Sequence, residues 1–178
     1  MTDRYVAVVG PSDPDDTAVL DAAHTVGVAL ARAGAVVVCG GRGGVMEAAC
    51  RGAKQAGGTT VGLLGGDDRS AANPYVDIAI PTGLGEARNA LVVRAADAVV
   101  AVGCSWGTLS EIALAMRTGV PVVALDSWDI RGPAGAPVAG PTVVDNPEDA
   151  ARIALIEAVA SGHGRHDRDN LLGRGDSH

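Results

Sequence analysis

Phenylalanine is absent from this chain of 178 residues, and two Trp and two Tyr are all it has of large aromatic side chains. Its core must therefore be packed from Val, Ala, Leu and Ile against Gly, which suits closely spaced layers of strand and helix. At 47% apolar residues there is enough for one such core and one domain. No stretch approaches the roughly 18 continuous apolar residues of a membrane span. Met1-Thr2-Asp3-Arg4 has neither the charged nor the apolar region of a signal peptide, so a cytoplasmic protein without membrane contact is expected. Basic runs are missing too, and the formal charge is −7. No nucleic acid is expected as a partner, because such binding relies on neutralising backbone phosphates.

Lysine occurs once, as Lys54, midway along a helical segment between Ala53 and Gln55. A pyridoxal enzyme needs a lysine for its Schiff base, and this one reads as a solvated surface residue, so a decarboxylase of that kind is rejected. The cysteines Cys39, Cys50 and Cys104 form no CxxC pair and are odd in number, which excludes a disulfide framework and a zinc ribbon. Cys39 and Cys50 read as small buried residues. Cys104, with no histidine near it in sequence, reads as a small filler in its loop. His24 lies on an early helix and the other histidines are near the end of the chain, so no metal site is expected.

What is present is an alternation of apolar strands and helices. Strands are expected at Tyr5–Val9, Ala35–Cys39, Thr59–Leu64, Val76–Ile80, Ala98–Val102, Pro121–Leu125 and Thr142–Val144. Between them, helices are expected from Asp15 and Asp16 to Ala33, Val45 to Ala56, Gly85 to Ala95, Thr108 to Thr118 and Pro147 to Ala160. Strands apolar at every position and separated by helices indicate a parallel sheet covered on both faces. The predicted fold is α/β, a Rossmann-like doubly wound parallel sheet in a single domain over residues 1–160. Asp126–Pro141 reads as a surface loop, and residues 161–178 as a disordered tail.

Two glycine-rich turns stand at strand ends. Gly40-Gly41-Arg42-Gly43-Gly44 follows one strand and precedes a helix, but it lacks the spacing of the dinucleotide fingerprint and the lysine of a P-loop. The second, Gly103-Cys104-Ser105-Trp106-Gly107, leads into Thr108 and a helix with Glu111 in its first turn. Small residues at a helix start let backbone N–H groups and the positive helix end meet an anion. In a doubly wound sheet both turns lie at carboxyl ends of strands, where ligands bind. Two such turns facing one crevice suit a small phosphorylated ligand, a mononucleotide better than an extended dinucleotide. Trp106 is open to three readings: a stacking partner for a base, a cover over the site or an oligomer contact.

Gly40-Gly41-x-Gly43-Gly44-Val45-Met46 together with Gly107-Thr108-Leu109-x-Glu111 resembles the LOG family, over about Tyr5 to Leu125. These proteins were long labelled lysine decarboxylases, and many are cytokinin-riboside monophosphate phosphoribohydrolases. The resemblance implies a Rossmann-like fold, a homo-oligomer, no resident cofactor and hydrolysis of the N-glycosidic bond of a nucleoside 5′-monophosphate. It places Arg88 and Glu111 at the catalytic positions. It also points to Gly41, Arg42, Gly43, Gly44, Gly107 and Thr108 as phosphate contacts, with Ser12, Asn89 and Ser105 as further ligand contacts. The chain departs from the family where Gly103-Cys104-Ser105 replaces Pro-Gly-Gly and where Ala87-Arg88-Asn89 replaces Glu-Arg-Lys. Those departures resemble a divergent branch that includes molybdenum-cofactor carrier proteins, in which a phosphorylated pterin is bound without hydrolysis. A hydrolase, a non-catalytic carrier and a nucleotide-sensing regulatory subunit are the three functions left open.

Overall fold

Runs of Val and Ala with no polar interruption have two apolar faces to cover, and a parallel sheet between helices covers both. A computed structural model describes the backbone of residues 4–172 and the side chains of residues 4–160. Its strands are β1 (Tyr5–Val9), β2 (Val36–Cys39), β3 (Thr60–Leu64), β4 (Ile78–Pro81), β5 (Ala98–Val102), β6 (Val122–Leu125) and β7 (Thr142–Val144). Its helices are α1 (Thr17–Arg32), α2 (Val45–Gln55), α3 (Asn89–Arg94), α4 (Trp106–Thr118) and α5 (Pro147–Leu172). The strands form one sheet in the order β4-β3-β2-β1-β5-β6-β7, every neighbouring pair parallel. The expected doubly wound α/β fold is what the chain adopts.

Alternate residues of each strand serve opposite layers. Val6, Val8, Val37, Ala98, Val100, Val123 and Leu125 pack with residues of α1, α2 and α5. Ala7, Val9, Val38, Val99, Ala101 and Val122 pack with Val92 and Val93 of α3 and Ile112 and Ala115 of α4. With no Phe to hold the layers apart, glycine brings α1 and α2 into backbone contact. A Cβ built on Gly27 would overlap the Ala49 carbonyl oxygen, and one on Gly52 would overlap that of His24.

Besides shifts of one or two residues at other strand and helix ends, three boundaries differ from expectation in ways that have a physical reason. The helix expected from Gly85 begins instead as a 3₁₀ turn, Gly85–Arg88, with Gly85 itself at φ +57°, outside right-handed helical space; α3 proper starts at Asn89. α4 opens at Trp106 rather than Thr108, since the Ser105 hydroxyl accepts the Thr108 amide at 3.2 Å and makes Ser105 the N-cap. The third is α5, which continues through residues 161–172, expected to be disordered. Once Ala150, Ala151, Ala154 and Ala158 anchor this helix on the sheet, each added residue gains a hydrogen bond without a new nucleus. The rest of the expected tail, residues 173–178, lies outside the described residues. No helix among the described residues is long and apolar enough to cross a membrane.

Candidate functional site

The strand order reverses between β1 and β5, and three turns meet at that point. The β1–α1 turn contributes Pro11, whose carbonyl accepts the Val45 amide at 3.0 Å and so ties the start of α2 to it. Gly44, at φ +62° and ψ −130°, takes a conformation open to glycine alone, and a Cβ there would stand 2.5 Å from the carbonyl oxygens of Pro11 and Ser12. As the N-cap of α2, Gly44 offers no side chain, so the first amides of that helix carry no side-chain cap. The third turn crosses at Gly103, where a Cβ would lie 3.3 Å from the Pro11 ring.

Arg88 and Glu111 come together across this crevice. Arg88 is 7% exposed and Glu111 7%, and a single Nη1–Oε1 contact of 3.4 Å joins them. The guanidinium lies flat against Gly40, where a Cβ would fall 2.5 to 2.7 Å from Nη2, Nη1 and Cζ; any side chain at position 40 would expel the arginine. Arg88 Nε is buried with no hydrogen-bond partner. Burial holds the Arg88 pKa below its ordinary value, the nearby Arg42 adds to the lowering, and Glu111 opposes both. Burial likewise raises the Glu111 carboxyl to about 7, a rise that Arg88 only partly offsets. Desolvation thus outweighs mutual attraction for both partners. A buried pair of this kind costs stability, which points to a ligand site more than to a structural clamp.

The remaining candidates fall around this pair. Arg42 is exposed at the mouth, and its carbonyl accepts from Asn73 Nδ2 at 2.9 Å, while the Asn73 amide donates to the Gly41 carbonyl at 2.9 Å. Gly41 is buried against Leu64, whereas Gly43 is half-buried and Ser12 exposed. Asn89 donates to Ser110 Oγ at 2.9 Å and so joins α3 to α4. Thr108 is 2% exposed, and its amide and hydroxyl are both engaged by Ser105 Oγ, the hydroxyls 3.0 Å apart. In this arrangement Ser105 and Thr108 shape the turn, and exposed Gly107 is its open member.

Asn73 belongs to the candidate site and was not singled out from the sequence. It is 8% exposed and holds the glycine turn from below; an Asn-Pro pair inside a loop was the available signal. The structure also reveals a thiol pair, with Cys39 and Cys50 buried and their sulfurs 3.5 Å apart. Cys39 Sγ accepts the Gly41 amide at 3.2 Å and so supports the same turn. Cys104 is half-buried beside the Ser105 carbonyl. Asp97, before β5, accepts the Tyr5 amide at 3.0 Å, at the end of the sheet away from these turns. Among the described residues no cluster of three His, Cys, Asp or Glu side chains is placed to hold a metal ion. A cavity of about 480 Å³ between α1 and α5 lies away from these turns; its arginines are engaged elsewhere, Arg4 by the Ala33 carbonyl and Arg152 by Asp149.

The family model described as SLOG cluster4 family matches residues 3–160. The chain belongs to the SLOG cluster4 family. A protein of Archaeoglobus fulgidus described as uncharacterized is 35% identical over 154 residues, 86% of this chain and 96% of that one. Among solved structures, this SLOG cluster4 chain is similar to the molybdenum cofactor binding protein of Rippkaea orientalis, with TM-score 0.78 and 35% identity over 90% of this chain and 99% of the other. It is also similar to the molybdenum cofactor carrier protein of Chlamydomonas reinhardtii, with TM-score 0.76 and 34% identity over 89% and 99% of the two chains. The motif resemblance to LOG proteins is therefore met at the level of this SLOG family and of the carrier proteins.

The raised carboxyl gives the site a pH dependence with a definite sign. A carboxyl at about 7 in the fold, against 4.5 ordinarily, means the folded chain holds this proton more tightly than the unfolded one. Stability from this group is therefore lost as pH rises from 4.5 to about 7 and is level above. Below about 7 the carboxyl is neutral and Arg88 faces a ligand uncompensated. Sulfate, which does not titrate in this range, is expected to bind several-fold more tightly at about pH 6 than at about pH 8. Calorimetry on wild type and Glu111→Gln checks this, and a pH dependence that persists in the variant would assign it to another group.

Proposed function

We propose that the chain binds and carries a phosphorylated small molecule of the molybdenum-cofactor type, its phosphate seated at the glycine turn of residues 40–44 and its body along the crevice. The observation that carries this reading is Arg88: a buried cation with one long contact, a second arginine beside it and a buried Nε without a partner. A buried donor left unmatched is costly, and a phosphate oxygen is the acceptor that satisfies it. The start of α2, which has no side-chain cap and whose Val45 amide is held by the Pro11 carbonyl, adds a helix dipole of the right sign. The names of the proteins from R. orientalis and C. reinhardtii support the choice of cargo.

Glu111 supports carriage over turnover. Glycoside hydrolysis pairs a carboxylate free to face the sugar with a protonated carboxyl for the leaving group. Here Glu111 is one buried carboxyl, with Oε1 turned to the Arg88 guanidinium. The meeting of Arg88 and Glu111 is nonetheless what favours a second reading, phosphoribohydrolase action on a nucleoside monophosphate. Arg88 would then hold the phosphate or ribose and Glu111 would stabilise charge at the sugar.

Two assays separate the readings. Incubated anaerobically with molybdenum cofactor and passed through gel filtration, the protein is expected to retain phosphorylated pterin in stoichiometric amount, measured by fluorescence after oxidation. Incubated with AMP and other nucleoside monophosphates, it is expected to release no free base. Base released by wild type and not by Glu111→Gln would establish the hydrolase instead, and failure to retain pterin would remove the carrier.

A further inference from the structure

Aromatic side chains are scarce here, yet both tryptophans of the chain stand together at the carboxyl edge of the sheet. Trp106 is the first residue of α4, next to the capping Ser105, and Trp128 follows the end of β6. Their rings meet edge to face, with centroids 4.9 Å apart and planes at 77°. Trp106 is nevertheless 78% exposed and Trp128 44%. An indole held upright by a neighbour's ring, with most of its surface open, is a prepared stacking surface.

The position of the pair relative to the anion end of the crevice sets what it can meet. Trp106 follows β5 and Arg42 follows β2, and the two strands are separated by β1 alone. Two strand spacings put the turns roughly 10 Å apart across the sheet. That span matches a phosphate ester with its phosphate at one end and a fused ring at the other. The loop carrying Trp128 also exposes Ile130 and Val138, which gives a subunit contact as the competing use of the patch.

We propose that Trp106 is the ring-recognising residue of the crevice, stacking on a flat fused heteroaromatic ring whose phosphate is held at the glycine turn, while Trp128 fixes the indole in place. This rests on the phosphate-binding reading of the crevice. It adds a selectivity that the glycine turns alone cannot supply, because backbone amides read the phosphate and ignore the ring.

The test compares an oxidised pterin phosphate and AMP with ribose 5-phosphate, which lacks the ring, by calorimetry and indole fluorescence. In wild type the ring-bearing probes are expected to quench the indole and to bind at least about tenfold more tightly than ribose 5-phosphate. Trp106→Ala is expected to erase that advantage, and Trp106→Phe to recover part of it. An advantage that survives in Trp106→Ala overturns the proposal, as does failure of every ring-bearing probe to bind. A change of sedimentation in Trp106→Ala with ligand preference intact would overturn it in favour of a subunit contact. Absence of ribose 5-phosphate binding, with ring probes still lost in Trp106→Ala, would instead reject the phosphate reading and keep the stacking residue.

Discussion

Replacing Arg88 with Met is expected to weaken binding of sulfate and phosphate esters by about 100-fold or more while the chain stays folded at about pH 6. The binding loss follows from removing the buried cation and its unmatched Nε, neither of which Arg42 at the exposed mouth can replace. The retained fold follows from Glu111. Its carboxyl already titrates at about 7 with Arg88 beside it, and Arg88 is the influence that lowers it. Without the arginine the carboxyl keeps its proton through neutral pH, so no bare buried charge is left and Met fills the volume. The loss of stability with rising pH then extends above 7 instead of levelling there. Melting temperatures measured from about pH 6 to about pH 9, with sulfate titrations at the lower end, check both halves. Wild-type affinity in the variant would remove Arg88 from the site, and unfolding at about pH 6 would make the pair a structural clamp.

Gly52→Ala is expected to destabilise the protein by about 3 kcal/mol or more, lowering the melting temperature by roughly 10 °C. The direction is the test. In an exposed helix the same change stabilises by about 0.5–1 kcal/mol, because alanine loses less backbone freedom on folding. At Gly52 the new methyl would run into the His24 carbonyl, and backbone cannot rotate away as a side chain would. α1 and α2 would have to part along their length, which also uncovers Ala23, Val26 and Ala49. Differential scanning calorimetry decides it, and a raised melting temperature would mean that the helices separate at little cost.

Much of this architecture is legible in the sequence because its signals are local. Val36-Val37-Val38-Cys39 and Ala98-Val99-Val100-Ala101-Val102 cannot lie on a surface, and the helices between them force a parallel sheet. Arg88 and Glu111, chosen through a motif, do face one another across the crevice. What escaped the reading depends on chain folding over distance. Asn73 sits in a loop without periodicity and gains meaning only when that loop closes on Gly41 and Arg42. Cys39 and Cys50 belong to a strand and a helix, and only the packing of α2 on the sheet brings their sulfurs together. The same holds for Trp128, which reaches Trp106 from an irregular loop. Capping explains the shifted start of α4: Ser105 and Thr108 both suit a helix start, and only the hydroxyl geometry shows which residue leads.

The glycine contact between α1 and α2 has a mechanical side. Where two helices approach backbone to backbone, as at Gly27 and Gly52, no long side chain stands at the contact to change rotamer and let them slide. The turns that open those helices, at Pro11–Ser12 and Gly40–Gly44, are joined by the Val45 amide and ride on one stiff plate. The opposite wall, from Gly103 to Trp106, rides on α4 beyond the other face of the sheet and meets α3 through the Asn89–Ser110 hydrogen bond. The crevice thus resembles a vice whose jaw on the α1–α2 side is held stiff by backbone contact, with the Gly103 turn packed against it at Val19 and Pro11.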